Sequence, residues 1–159
     1  KFLVGINLEG AVKGKKIEPS ELFQICHGLY DQNKNIQIII LSAPDNYKNA
    51  ITKVKQMALN YVEVGYKTDR ILDVAALINH LDLIITPDTS IVHIASAFNK
   101  PIVTIHENNH DSFHLFSPIS RLNRTVFSKS KSSINDFSVS LLLQYCFELI
   151  SLKIEEDYE

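Results

Sequence analysis

The chain has 159 residues, a length that suits one ordinary domain and supplies enough apolar side chains for one substantial core. Hydrophobic residues make up 45% and charged residues 21%, with only five glycines and five prolines, which excludes a collagen-like, low-complexity or disordered chain. The formal net charge is -2, so no overall positive field attracts nucleic acid or an anionic membrane. Any chemistry directed at phosphate must therefore be local.

Short apolar runs alternate with longer stretches of helical period, a pattern typical of βαβ units and a parallel sheet. The predicted strands cover residues 2–7, 36–41, 61–64, 83–86, 102–105 and 125–128. Each of the three stretches between the first four strands is long enough to return the chain parallel, and Pro19 opens the first helix. We predict an α/β fold, a Rossmann-like parallel sheet of about six strands with helices on both faces.

The C-terminal third is less regular. Residues 106–124 show no clear period and are predicted to form a long loop, in which His106, His110 and His114 have no defined ligand geometry. We interpret them as surface histidines rather than a metal site. The last helix, predicted over residues 135–154, is apolar on more than one face, so we expect it to dock deeply on the sheet or to be covered by another domain.

The two cysteines, Cys26 and Cys146, lie in apolar stretches of helical period and form no CxxC or Cys/His metal pattern. A reducing, cytoplasmic compartment is therefore expected, with a peripheral position at the inner membrane face as a further option. The apolar runs are too short to span a membrane, and no signal peptide precedes the opening strand. Because the chain opens directly on a strand, we expect one domain, residues 1–159, of a longer protein.

The loop after the first predicted strand, NLEGAVKGKK over residues 7–16, has two glycines and three lysines, Lys13, Lys15 and Lys16. In an open doubly wound sheet, ligands bind beyond the carboxyl ends of the strands where the strand order reverses, usually between the first and the fourth strand. Glycines permit close backbone approach, and a lysine supplies a charge for a diphosphate. The loop matches neither a Walker sequence nor GxGxxG, and alone it equally fits a solvated surface loop.

The loop after the fourth predicted strand, TPDTSIVH over residues 86–93, runs directly into a helix. Asp88 or Thr89 can cap that helix, and the free amides of Thr89, Ser90 and the next residue can accept phosphate oxygens. His93 follows Thr89 by four residues and is expected on the same face, directed back toward the helix start. An ordinary capped helix with a surface histidine is the alternative, but the fold predicts that the two loops meet.

The segment LIITPDTSIVHIASAFNKPIV, residues 83–103, resembles the signature of glycosyltransferase family 9, the ADP-heptose:lipopolysaccharide heptosyltransferases. The family pattern is an apolar strand, Pro-Asp-Thr-Gly, a histidine, Leu-Ala-Ala-Ala and Lys-Pro before the next strand. Residues 15–19 and 68–77 are similar to two other short family segments. The resemblance covers nearly the whole chain, as the C-terminal, donor-binding domain of the family.

The resemblance implies half of a GT-B enzyme, in which the nucleotide-sugar binds to the C-terminal domain and the acceptor and general base belong to the N-terminal domain. It implies inverting, metal-independent glycosyl transfer in the synthesis of lipopolysaccharide core or a related glycan. The donor is then an ADP-sugar, specifically ADP-heptose, and no cofactor is expected. The glycan acceptor would be met through the other domain, so this domain alone would be inactive and would hold no catalytic residue.

The resemblance also implies roles for individual residues: diphosphate binding by Lys15, Thr89 and Ser90; binding of the donor sugar or ribose by Asp88, Asp45 and Asn46; and support by His93, Lys13 and Lys16. The sequence departs from the family pattern at three places. Ser90 replaces a glycine, Asn46 stands where an acidic residue is expected, and Glu107 opens a segment that replaces Gly-Pro-Thr. A carboxylate at Glu107 would repel a nearby diphosphate.

Two other interpretations remain open. Another GT-B enzyme, either a different glycosyltransferase or a nucleotide-sugar epimerase, would prefer a UDP-sugar and therefore uracil to adenine. A non-catalytic Rossmann-like interaction module would use its apolar last helix to dock a partner and would bind no nucleotide. The departures at Ser90, Asn46 and Glu107 motivate this last interpretation.

Overall fold

The computed structural model describes residues 1–10 and 13–158. Its strands and helices follow one another along the chain as β1 (Phe2–Asn7), α1 (Pro19–Gln32), β2 (Ile36–Leu41), α2 (Tyr47–Met57), β3 (Val62–Val64), α3 (Ile71–Asn79), β4 (Leu83–Pro87), α4 (Ser90–Ala97), β5 (Ile102–His106), α5 (His110–Phe116), β6 (Asn123–Phe127) and α6 (Val139–Asp157). A short 3-10 turn, Pro44–Asn46, precedes α2.

The six strands form one sheet in the order β3-β2-β1-β4-β5-β6, and every neighbouring pair is parallel. This confirms the predicted Rossmann-like sheet. The strand order reverses between β1 and β4, so the polar residues that follow these two strands reach the same edge of the sheet. The first two strands have the predicted bounds, and β3, β4 and β5 each differ by one residue at one end. β6 begins two residues earlier and ends one residue earlier than predicted.

Different helices cover the two faces of the sheet. On the face covered by α1, α2 and α6, called the α1/α6 face, fully buried side chains such as Leu29 and Cys146 pack over the strands. On the face covered by α3 and α4, called the α3/α4 face, Ile78 and Val92 belong to a separate, smaller cluster. Both faces are covered, which is why the strands are nearly continuous apolar runs rather than alternating ones.

Two predictions for the C-terminal third are wrong in part. Residues 106–124 are not all loop, because β5 extends to His106 and α5 follows, with Asn109 accepting a hydrogen bond from the Ser112 amide at 3.2 Å. His106 is only 2% exposed, so it is not a surface histidine, whereas His110 and His114 are exposed as predicted.

The last helix begins four residues later than predicted. Ser138 caps α6 by accepting a hydrogen bond from the Leu141 amide, while the preceding Ile134 and Phe137 are buried in the core without being helical. The inner side of α6 is docked on the sheet and α1, in agreement with deep docking. Across the described residues, no helix is both long and apolar enough to cross a membrane.

Candidate functional site

A cavity of about 840 Å³ opens at the carboxyl ends of β1, β2 and β4, and we call it the edge cavity. One wall is polar and is formed by residues after β1 and β4, including Asn7, Lys15 and Asp88. The opposite wall is apolar and includes Val74 and Leu77 of α3. A cavity of this size at the reversal of strand order is the expected position for a small-molecule ligand in this fold.

The polar wall begins with a hairpin whose described residues are 9–10 and 13–16, and which we call the lysine hairpin. Glu9 and Lys16 form an antiparallel bridge, and the Gly10 amide donates to the Lys15 carbonyl at 2.9 Å. Gly14 has a φ of 88°, a left-handed conformation that favours glycine, and its carbonyl accepts from Ile134 at 3.0 Å. The hairpin is therefore anchored at its base and near its tip. Residues 11 and 12 lie outside the described residues.

Gly10 brings the lysine hairpin against the start of α4. A Cβ atom on Gly10 would lie 2.9 Å from Cγ2 of Thr89, which is closer than real Cβ contacts. Thr89 cannot easily move, because its Oγ1 accepts a hydrogen bond from the Ile91 amide and caps α4. The glycine is needed here for close approach, as its position in the sequence suggested.

Lys15 reaches across this contact to Asp88. The Lys15 Nζ lies 2.7 Å from Asp88 Oδ2, and their side chains are only 14% and 12% exposed. His106 approaches the same oxygen from β5, with Nε2 at 3.3 Å. The contact with His106, opposed by burial and reinforced by Lys15, lowers the pKa of Asp88 to about 2. We call these three residues the Lys15–Asp88–His106 cluster.

Asn7, at the end of β1, ties the two loops together. Its side-chain amide donates to Thr86 Oγ1 at 3.0 Å and lies 3.3 Å from Thr89 Oγ1, and Asn7 itself is buried. The Thr86 hydroxyl donates to the Pro87 carbonyl at 2.8 Å. Sequence reasoning assigned no role to Asn7, although a single polar residue that ends an apolar strand was a usable signal.

The start of α4 faces the edge cavity. Within the described part of the chain, the amides of Thr89 and Ser90 donate no backbone hydrogen bond. Such amides, together with the helix dipole, favour an anion. Ser90, which replaces the glycine of the family pattern, is exposed and lines the cavity, so its amide is accessible to a ligand.

Asp45 and Asn46, in the 3-10 turn after β2, also line the edge cavity. Asp45 is exposed at its margin, and the Asn46 amide donates to Glu9 Oε1 of the lysine hairpin. The Asn46 oxygen accepts from Asn49 at 2.8 Å. Glu9 was not selected from the sequence, yet it places a carboxylate beside Asn46.

The three residues with predicted supporting roles lie outside the cavity wall. Lys13 is exposed, and Lys16 is half-buried at the base of the hairpin. His93 is exposed on α4, and its ring packs edge-on against Phe116 of α5, with 6.4 Å between centroids. Their supporting roles stay predictions. Among the residues that the structure describes, no group of three or more His, Cys, Asp or Glu side chains could hold a metal ion.

With the two loops joined around one cavity, the chain can be compared with known families. The model of glycosyltransferase family 9 (heptosyltransferase) matches residues 10–144, a range that includes Lys15 of the lysine hairpin, Asp88 and the start of α4. The chain belongs to glycosyltransferase family 9. This confirms the resemblance predicted from residues 83–103, and the family is one of glycosyltransferases.

One curated relative and several solved structures are similar to this family 9 chain. It is 29% identical over 96 residues to "Putative lipopolysaccharide heptosyltransferase 4" of Escherichia coli K12, which covers 58% of this chain and 27% of that protein. E. coli ADP-heptose lipopolysaccharide heptosyltransferase II superimposes with a TM-score of 0.78 and 17% identity, over 98% of this chain and 47% of the other. E. coli heptosyltransferase WaaC with ADP superimposes with a TM-score of 0.73 and 18% identity, over 92% of this chain and 44% of the other. The chain thus spans less than half the length of these relatives.

Proposed function

We propose that this chain is the donor-binding domain of an inverting, metal-independent heptosyltransferase-like enzyme, and that the edge cavity binds an ADP-sugar. The observation that carries the proposal is the approach of Lys15 to the start of α4 at the reversal of strand order. A flexible cation and a helix N-terminus then face one cavity, which is the combination that a diphosphate requires. Similarity to proteins that are about twice as long suggests that a second domain completes the enzyme.

In this proposal the diphosphate lies between Lys15 and the amides of Thr89 and Ser90. When the bond between the anomeric carbon and the diphosphate breaks, negative charge grows on the leaving phosphate. Donors that are already oriented toward that oxygen stabilise this charge without a metal ion. Lys15 and the α4 amides would therefore serve both binding and departure of ADP.

The remaining parts of the donor fit the other walls. The ribose would lie near Asp45 and Asn46, and Glu9 adds a carboxylate that can accept hydrogen bonds from ribose hydroxyls. The base would pack along the apolar wall that Val74 and Leu77 provide. Asp88 would accept a hydrogen bond from a hydroxyl of the transferred sugar.

The acceptor side of the reaction is assigned to the second domain. There a general base would take the proton from an acceptor hydroxyl, whose oxygen attacks the anomeric carbon from the side opposite ADP and inverts its configuration. The acceptor would be lipopolysaccharide core or a related glycan, in the cytoplasm or at the inner membrane face. The two free, buried cysteines are consistent with a reducing compartment.

Calorimetric titration with ADP tests the proposal, with Lys15→Ala as the variant and Lys13→Ala as the matched control. Lys13 lies on the same hairpin but is exposed, so the control removes an equal charge without removing the contact with Asp88. We expect Lys15→Ala to weaken ADP binding by about tenfold or more and Lys13→Ala by much less. ADP at a hundred times its Kd should also stabilise the wild-type chain by about 2.7 kcal/mol.

Other outcomes would replace the proposal. A clear preference for UDP over ADP would favour a UDP-sugar enzyme of the GT-B class. An absence of any nucleotide binding, together with self-association that depends on concentration, would favour an interaction module. Such a module was expected to dock its partner through the last helix, α6. Exposed apolar side chains also lie on α5 and in the segment after it, namely Leu115, Phe116 and Ile119.

A further inference from the structure

His106 is a buried titratable residue that the proposed donor contacts leave without a role. It ends β5, is 2% exposed and is absent from the described lining of the edge cavity, whereas its partner Asp88 belongs to that lining. The ring is enclosed by Phe113 of α5, edge-on with centroids 5.5 Å apart, and by Phe127 of β6 at 6.1 Å. A polar ring in such surroundings needs a specific partner at each nitrogen.

The two nitrogens of His106 face two acceptors. Nδ1 lies 2.8 Å from the Glu107 carbonyl, and a carbonyl oxygen can only accept, so Nδ1 carries a proton. Nε2 faces Asp88 Oδ2 at 3.3 Å and has no well-aligned hydrogen bond within the described residues. A neutral ring with its proton on Nδ1 would turn a lone pair toward the carboxylate. A doubly protonated ring turns an N–H toward it.

The charged groups around the ring favour the doubly protonated form. Asp88 approaches from the turn between β4 and α4, and Glu107 is the next residue on the chain. The cation of Lys15 opposes protonation of the ring, but its charge is balanced by Asp88, which lies between the two cations. His110 of α5 is separated from the ring by Phe127, against which it packs at 4.8 Å. Burial alone would lower the pKa of His106, but Asp88 and the Glu107 carbonyl outweigh burial and raise it.

A protonated His106 would affect diphosphate binding because the Lys15–Asp88 pair has no net charge. A lysine held at 2.7 Å by a carboxylate offers little net charge to an incoming diphosphate. With His106 protonated, the Lys15–Asp88–His106 cluster carries one net positive charge. Asp88 also keeps a cationic partner when Lys15 turns toward phosphate.

We propose that His106 is a positioning residue whose protonated ring serves as the counter-ion of Asp88 and thereby frees Lys15 for the diphosphate. Nucleoside diphosphate binding is then coupled to protonation of this buried histidine. The inference rests on the proposed function, since it assumes that Lys15 binds the donor diphosphate. It adds a proton-linked step to that function. Binding is expected to take up a proton wherever the free chain holds His106 neutral.

The test compares ADP affinity of the wild-type chain and His106→Gln by calorimetry between about pH 5.5 and pH 8.5. Glutamine keeps an N–H donor near the position of Nε2 but does not titrate. The phosphate of ADP titrates in the same range, so the ratio of the two Kd values isolates the histidine. We expect the variant to bind ADP more weakly than the wild-type chain at low pH. The ratio of the variant's Kd to the wild-type Kd should then fall by about tenfold as pH rises and wild-type His106 loses its proton.

Nuclear magnetic resonance of the histidine rings in the wild-type chain is a second measurement, and it does not depend on whether His106→Gln folds. We expect both nitrogens of His106 to be protonated in the free chain at low pH, and ADP to extend this range to higher pH. A protonation state of Nε2 that ADP changes at no pH would overturn the inference. Parallel pH profiles for wild type and His106→Gln would also overturn it, while ADP binding that depends on Lys15 would leave the proposed function standing. No ADP binding at any pH would overturn both.

Discussion

The two faces of the sheet differ in how much apolar surface they bury. Within the described residues, the cluster on the α1/α6 face contains 25 buried apolar residues, whereas the cluster on the α3/α4 face contains eight. On the α3/α4 face, Val74, Leu77 and Ile91 are only partly covered, and the same side chains line the edge cavity. The comparison suggests that most of the folding free energy comes from one face, while the other face leaves apolar surface available for a ligand.

The largest expected effect is a difference in stability between variants on the two faces. Leu29→Ala removes a fully buried side chain from the α1/α6 face and should lower the free energy of unfolding by about 2–5 kcal/mol. Leu77→Ala on the α3/α4 face should cost less stability, because its side chain is already partly exposed, but it should weaken ADP binding. Urea unfolding and ADP titration of both variants give the comparison. Equal losses of stability would contradict it.

A smaller effect is expected from Asp88→Asn, which removes the anion between Lys15 and His106. At about pH 6 we expect a loss of about 1–2 kcal/mol of stability, reduced from the value for a fully buried pair because the cluster borders the cavity. The pKa of Asp88 is lowered from 3.8 to about 2, so its contribution is complete above 3.8 and is lost as pH falls through about 2.

Denaturant unfolding at several pH values measures this contribution. The gap in stability between wild type and Asp88→Asn should narrow as the pH falls below about 4. A gap that stays constant down to about pH 2.5 would show that Asp88 does not titrate as the cluster requires. The variant also tests whether ionic contacts, rather than apolar packing, hold Lys15 and His106 in place beside Asp88.

The smallest expected effect concerns the approach of the two loops. Gly10→Ala places a methyl group against Cγ2 of Thr89, so the lysine hairpin must move away from α4. We expect ADP affinity to fall about tenfold, which corresponds to about 1.4 kcal/mol, with a loss of global stability below about 1 kcal/mol. Adding Thr89→Ser removes Cγ2 but keeps the capping oxygen, and it should restore affinity. Failure of this rescue would contradict a steric cause.

Much of the fold was predictable because its signals are periodic. Apolar runs identified all six strands, and helical spacing identified the crossovers between the first four. α5 was not identified, because it has only seven residues and its three apolar side chains, Phe113, Leu115 and Phe116, are too few to establish a helical period. The late start of α6 has a similar reason, since Ile134 and Phe137 are buried like helical core residues without being helical.

The site was predictable where position in the topology decides it. Asp88 and Thr89 could be selected because strand order predicts that the residues after β1 and β4 meet. The choice of Lys15 among the three lysines of its loop came only from the resemblance to the family. His106 could not be placed, because one additional residue of β5 decides whether it is buried or exposed. Asn7 could have been selected as the polar residue that ends β1, but its contact with Thr86 could not be predicted, since the contact depends on side-chain geometry rather than on any spacing along the chain.

The hydrogen bond between Asn7 and Thr86 joins residues that are 79 positions apart, and the Lys15–Asp88 contact spans 73. Both contacts need β1 to be paired with β4. Because β2, β3 and their helices lie between these two strands along the chain, that pairing closes a long loop. Non-local pairings of this kind are slow steps in folding. Recovery of ligand binding during refolding should therefore lag behind recovery of helical structure, and the edge cavity would report the completion of the fold rather than its beginning.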